Sequence, residues 1–197
     1  MNVELAEEYI LSQLRTQLPP ILYYHGVHHT LDVTQAAMAL ATAEGITNKT
    51  ELQLLRTAAL YHDTGFLRTY NGHEAEGCAL VHEVLPAFDY TPNQIGAICE
   101  MIMATRLPQD PHSHLAEILC DADLDYLGRS DFESIAETLF REFQARQLVT
   151  ADEDAWNRSQ EQFLSQHHYW TTTAVAWREA PKQARLAEIR TKISENQ

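Results

Sequence analysis

Ten histidines stand beside only three lysines in this chain of 197 residues, and they are not scattered at random. Sorted by their neighbours, four groups stand out among them and the acidic residues: His25 with His28-His29, His62-Asp63, His73-Glu74, and Asp121-Ala122-Asp123-Leu124-Asp125. Each group alone is commonplace, since helical histidines usually pack or cap and acidic triplets usually face water. The context of two of them is not. His62-Asp63 directly follows the apolar run Ala58-Ala59-Leu60-Tyr61, and Asp123 follows Ile118-Leu119-Cys120. A carboxylate carried into the interior by such segments is costly unless a cation compensates it. Neutral imidazoles and carboxylates together suit a hard or borderline divalent cation with room left for water. His62 and Asp63 are adjacent and would point about 100° apart on a regular helix, so both can face one ion only at a helix end. Gly65 predicts such an end.

The elements that position these groups read as all-α. Apolar residues recur at spacings of three and four throughout, and no convincing polar/apolar alternation marks a strand. The first helix is expected over Val3 to Leu18, with Leu5, Tyr9, Ile10, Leu14 and Leu18 inward and Pro19-Pro20 as its stop. A second spans His28 to Glu44, closed by Gly45. A third opens at the caps of Thr47 to Glu51 and leads into His62-Asp63. Further helices are expected at 73–85, 93–104, 113–127, 131–148, 152–169, 171–179 and 182–194, with connections at Phe66–Gly72 and Arg106–His112. This describes a single-domain bundle of nine to ten helices. Residues 20–130 form its metal-binding core and residues 131–197 a layer of packing helices, with Phe132, Ile135, Leu139 and Phe143, then Leu186, Ile189 and Ile193, as inner stripes.

Composition bounds the partners. The balance of 14 Lys+Arg against 28 Asp+Glu gives a net charge of −14, which argues against a nucleic-acid polymer, because backbone recognition needs clustered cations. No apolar run is long enough to span a membrane, and Met1-Asn2-Val3-Glu4 is acidic where a signal peptide is basic, so a cytoplasmic protein is expected. Homo-oligomers remain open. Cys78, Cys99 and Cys120 lie far apart in apolar runs and read as reduced, buried thiols. Neither a Gly-rich phosphate loop nor a Gly-x-Ser-x-Gly elbow occurs, which argues against covalent catalysis.

The ordered set His29, then His62-Asp63, then Asp123, resembles the metal signature of the HD-domain phosphohydrolase superfamily. The segments Tyr24–Thr30, Ala58–Phe66 and Asp121–Gly128 are similar to its predicted metal-dependent phosphohydrolases. The resemblance covers residues 20–130 and implies an all-helical fold, with His29, His62, Asp63 and Asp123 holding a divalent cation, whether Mn, Mg, Fe, Ni or Zn, at one ion per chain. Asp63 would also serve the chemistry, and Asp121 and Asp125 could orient ligands or water from behind. His25, one helical turn before His29, resembles in its Tyr24-His25 pairing the general acid of cyclic-nucleotide phosphodiesterases and would protonate a leaving alkoxide. His28 is expected to face away. His73 and Glu74 lie where di-metal relatives carry a further ligand, but Met103-Ala104-Thr105-Arg106 replaces the histidine that such relatives place next. Arg106, and Arg68 in the loop after His62-Asp63, could therefore meet a substrate phosphate.

What the resemblance implies is hydrolysis of a small phosphoester, a nucleotide among the options, by metal-activated water. Phe66 stands where deoxynucleotidases of this superfamily carry Glu, the Glu-Asp pair of stringent-response hydrolases is missing, and so is the Gly-Tyr-Pro element of the cyclic-dinucleotide branch. Two other readings stay open: a metal-stabilised ligand sensor without turnover, and a di-iron oxygenase, against which the missing histidine near Thr105 counts. His82, His112 and His114 are expected to be ordinary surface residues, while His167-His168 would line the cleft if the last helices fold back.

Overall fold

The structure is a computed structural model that describes residues 1–148 and 152–195, and among them it holds helices and no strand. Helix α1 (Val3–Gln17) starts where the Asn2 side chain accepts from the Leu5 amide and stops at extended Leu18, before the two prolines. Helix α2 (Val27–Ala43) follows Gly26, and α3 (Lys49–Tyr61) is capped by Asn48, whose side chain accepts from the amides of Thr50 and Glu51. After a 3₁₀ turn at Thr64–Leu67, α4 (His73–Val84) leaves Gly72, whose φ of 70° is free to a residue without Cβ. A Thr91/Gln94 capping box opens α5 (Pro92–Ala104), and Ser113 caps α6 (His114–Asp123).

These six helices enclose one apolar core. Helix α3 packs against α1, α2, α5 and α6, and Leu55, Leu60 and Tyr61 are fully buried together with Ile10, Leu40, Ile98 and Ile118. A second cluster lies beyond it, where Tyr24, Leu124 and Leu127 meet Phe132 and Ala136 of α7 (Phe132–Ala145), Leu164 of α8 (Glu153–Gln166), and Leu186 and Ile189 at the chain's end. Helices α7 and α8 and the residues around Leu186 and Ile189 thus pack over the side of the first bundle on which Asp123 emerges.

Three boundaries differ from the sequence expectation, each for a local reason. The helix expected over 113–127 breaks after Asp123 into a 3₁₀ turn at Asp125–Gly128, where the chain passes tightly beneath Arg178: a Cβ on Gly128 would lie 2.4 Å from the Arg178 carbonyl oxygen. The two helices expected at 171–179 and 182–194 join, because α9 (Thr172–Ala174) runs through a π turn at Val175–Glu179 into α10 (Ala180–Glu195). Helix α8 ends at Gln166 rather than 169, and the chain beyond it wraps Lys182. That side chain is fully buried; its Nζ donates to the His167 carbonyl at 2.7 Å, lies 3.0 Å from Glu179, and faces the Tyr169 ring. His167 thus serves the packing of α10 and does not line the cleft, while exposed His168 packs on Trp170.

Gly65 is required for closeness rather than for an unusual φ. A Cβ there would fall 1.8 Å from the His73 carbonyl oxygen, so the 3₁₀ turn after His62-Asp63 can press against the start of α4 only with glycine. All three cysteines are free, Cys120 buried and Cys78 and Cys99 half-buried. Among the described residues no helix is long and apolar enough to cross a membrane.

Two stability measurements follow from this packing. In urea denaturation, Gly65→Ala is expected to lose about 2–3 kcal/mol from overpacking, whereas Gly96→Ala, in mid-α5 with open space around its Cβ position, is expected to gain about 0.5–1 kcal/mol. Burial, with Lys182 and His168 nearby, pushes the His167 imidazole down to about 3 from the ordinary 6.5. A base depressed in the fold stabilises above its unfolded value and loses that contribution as pH falls toward the folded one. Unfolding free energy should therefore decline between pH 6.5 and 3 with a component approaching about 1.4 kcal/mol per pH unit, and that component should be missing from His167→Gln.

Candidate metal centre

Four side chains converge where α2, α3 and α6 meet. His29 comes from the first turn of α2, where its ring packs on Tyr24 with centroids 4.5 Å apart. His62 caps the C-terminus of α3, and its Nδ1–H donates to the Ala59 carbonyl at 2.7 Å, which leaves the Nε2 lone pair facing the centre. Asp63 leaves the helix at φ −101° and ψ 7°, and that turn carries its carboxylate to the same side as the His62 ring. Asp123 ends α6. His29 Nε2 lies 3.1 Å from Asp123 Oδ1, 3.4 Å from Asp63 Oδ2 and 3.4 Å from His62 Nε2. His62 Nε2 lies 3.2 Å from Asp63 Oδ2 and 3.5 Å from Asp123 Oδ1.

This spacing suits a cation. Donors about 2.1 Å from a central ion stand about 3.0 Å apart at octahedral and about 3.4 Å apart at tetrahedral angles. Donor atoms of His29, His62 and Asp123 all lie within 4.8 Å of one another. Asp63 Oδ2, on the histidine side, is buried without a hydrogen-bond partner, a state a carboxylate oxygen does not keep without compensation. The chemistry of the donor set agrees, because two carboxylates balance a divalent charge and two imidazoles complete a borderline site.

Electrostatics lead to the same place. Burial works to lower the His62 pKa, yet Asp63 and Asp123 overcome it and hold the imidazole well above its ordinary value. Burial likewise works to raise both carboxylates, and the histidines hold them below the usual range, His62 and His73 for Asp63, His29 and His62 for Asp123. The aspartates demand positive charge at this point, which either a proton or a metal ion can supply.

Around the four stands a partner set. His73, the first residue of α4, receives its position from the Gly65 contact: its Nδ1 faces the Tyr70 carbonyl at 3.3 Å, its Nε2 lies 3.3 Å from Asp63 Oδ1 and 3.7 Å from Glu74, and its ring stacks on Phe66 at 3.9 Å. Glu74 is buried beside it. The two oxygens of Asp63 thus face different groups, one the His29/His62 pair and the other His73.

His25 points into the same cleft, with its ring against Phe66 and its Nδ1 bonded to Glu142 at 2.5 Å. Glu142, fully buried on α7, also accepts from the backbone amides of Tyr24 (2.9 Å) and His25 (3.1 Å) and from the Tyr70 hydroxyl (3.1 Å). Burial would raise its pKa, but His25 and the two amides keep it lowered. Sequence reasoning passed over this residue. Its signal was a charge on an apolar stripe, one turn beyond Leu139 and two beyond Ile135.

Three expected site residues are turned elsewhere. Arg68 lies on the outer surface, bonded to Glu83 at 2.6 and 3.1 Å, because the 3₁₀ turn directs it across α4. Asp121 accepts from the Trp170 and Thr171 amides, both at 2.8 Å, and from the Thr171 hydroxyl at 2.7 Å, so it fastens the C-terminal segment rather than a metal ligand. Asp125 pairs with Arg178 at 2.6 Å, with Arg129 3.7 Å away. His28 is exposed on the far side of α2, as expected. Arg106, in contrast, lines the cleft: with Asp63, His73, Asp123 and His25 it borders a cavity of about 410 Å³ that runs from the centre between α7 and α8.

The HD domain family matches residues 26–125, which include all four converging side chains. Among solved structures, a predicted HD superfamily hydrolase from an uncultured Thermotogales bacterium superposes with a TM-score of 0.62 at 22% identity, over 96% of this chain and 92% of that one. No curated protein matches significantly. The family match spans half of the chain, the all-helical fold is shared along nearly its whole length, and the paired His62-Asp63 stands at the centre of the matched region: the chain belongs to the HD domain family.

Proposed function

We propose that this protein is a metal-dependent phosphohydrolase acting on a small phosphoester, with one divalent cation held by His29, His62, Asp63 and Asp123. The observation that carries the proposal is the convergence of these four on one point, with Asp63 Oδ2 buried and unpartnered among them. A bound divalent cation supplies a Lewis acid there and lowers the pKa of water. The protein's own groups supply the rest. His25, fixed through Nδ1 by Glu142, presents its other nitrogen to the cavity and gives a proton to the departing alkoxide. Arg106, at the cavity wall and with no ion pair among the described residues, holds a phosphate oxygen and offsets charge that develops in transfer. Burial would lower the pKa of His73, but Asp63 and Glu74 raise it; as a cation between those two carboxylates, it keeps Asp63 oriented without a second metal ion.

The same centre would serve a sensor without turnover, so metal content and catalysis must be measured together. Metal analysis is expected to find about one equivalent per chain, and phosphoester hydrolysis with Mn²⁺, Mg²⁺ or Ni²⁺ is expected to follow it. His62→Ala and Asp63→Ala should each lose both metal and activity; full metal content in Asp63→Ala would sink the assignment. Two irons with oxygen consumption would point to the oxygenase reading instead, and tight metal without turnover over a broad ester panel to the sensor.

His25→Ala is expected to keep its metal and lose about 10²–10⁴-fold in kcat. Glu142→Gln should keep its metal as well, lose a smaller part of kcat, and shift the pH–rate profile. Because Glu142 acts through His25, Glu142→Gln should cost little further when added to His25→Ala. Additive losses in the double variant would show that Glu142 does not work by positioning His25.

A further inference from the structure

Beyond the metal centre the cavity changes character. Leu124 and Leu127 from the turn after α6, Leu139 and Phe143 from α7, and Trp156 and Phe163 from α8 line its far part. The last four are large apolar side chains left only partly buried by a fold that buries most others, because they face this space. Polar groups are few there. Thr105 Oγ1 is already committed to the Ile102 carbonyl at 2.8 Å, the Tyr24 and Tyr126 hydroxyls bond one another, and Glu74 lies toward the centre beside His73, which leaves Ser159 and Gln160 on one side. Near the centre, Arg106 and His25 are the donors placed to meet an anion, since Arg68 is held by Glu83, Arg146 lies over the Tyr70 ring and His73 is taken by Asp63 and Glu74.

We propose that the cavity is the binding site for the organic part of the substrate, and that this part is a single apolar group, alkyl or aryl, on a phosphate monoester. The proposal rests on the hydrolase reading above for the phosphate end alone. One arginine and one histidine beside a cation suit a single phosphate, whereas a polyphosphate would bring further negative charge to a chain already at −14. A nucleoside fits poorly. Its base edge and sugar hydroxyls need partners that this lining lacks, and each donor or acceptor buried unpaired lowers affinity roughly ten- to a hundredfold. An apolar group instead gains from every wall it touches, and a volume of about 410 Å³ limits it to modest size.

The test compares methyl, butyl, octyl and phenyl phosphate with adenosine 5′-monophosphate on the metal-loaded protein. Calorimetric binding of butyl-, octyl- and phenylphosphonate, which cannot be hydrolysed, runs in parallel. Octyl or phenyl phosphate is expected to exceed both methyl phosphate and the nucleotide by about 100-fold in kcat/KM, and the arm that wins distinguishes a chain from a ring. Leu139→Ala, which enlarges the cavity, should move the chain-length optimum upward, and Ala136→Phe, which fills it, should move the optimum downward; a variant that merely misfolds would lose all substrates alike. Preference for the nucleotide, or hydrolysis indifferent to the organic group, overturns the proposal and leaves the hydrolase reading intact. Phosphonate binding with the expected chain-length dependence but no ester turnover sustains the proposal and overturns the hydrolase reading.

Discussion

Asp63 and Asp123 are carried by apolar helices to a largely buried place at the inner end of the cavity, and they arrive facing the same two imidazoles. Much else can be read as the means of holding that unfavourable arrangement. Burying two like charges a few ångströms from each other costs several kcal/mol unless positive charge stands between them. The Ala59 carbonyl aims the His62 lone pair inward, the break in α3 brings Asp63 round, and the tight Gly65 turn sets His73 against the second oxygen of Asp63. The core of α1 to α6 makes these positions rigid, so the electrostatic demand is met by positive charge and not by collapse of the site.

The C-terminal layer is more than cover. It supplies Glu142, which ties together the Tyr24-His25 backbone, the His25 ring and Tyr70, and through α7 and α8 it forms the wall of the cavity. Asp121 and Asp125, placed on either side of Asp123, fasten the same layer through Thr171 and Arg178. One acidic stretch at the end of α6 thus faces two ways, with its middle residue toward the histidines and its neighbours toward the chain that closes over them.

What could be read from the sequence follows from the range of the interactions involved. Helix positions rest on periodicity and caps within a few residues, and α1 to α5 fall where those signals put them. The grouping of His29, His62, Asp63 and Asp123 was legible because the paired His-Asp and its apolar context form a local pattern. The partners of Arg68, Asp121, Asp125 and His25 were not. Glu142 lies 117 residues from His25, and Arg178 lies 53 from Asp125. An exposed-looking charge in a helical stripe carries no mark of which distant group will neutralise it. The break after Asp123 was hidden likewise, since only contact with Arg178 requires Gly128 to be bare.

The two apolar clusters bear on how such a protein could change over generations. The candidate metal donors all belong to the first bundle, while most of the cavity's apolar wall belongs to helices that contribute none of them. Substitutions in α7 and α8 can therefore alter which molecules fit without disturbing the four converging side chains. Glu142 is the exception, a fixed point in the variable half. A lineage could exchange nearly every apolar residue along that wall and keep its chemistry, provided the single buried carboxylate stays in register with His25.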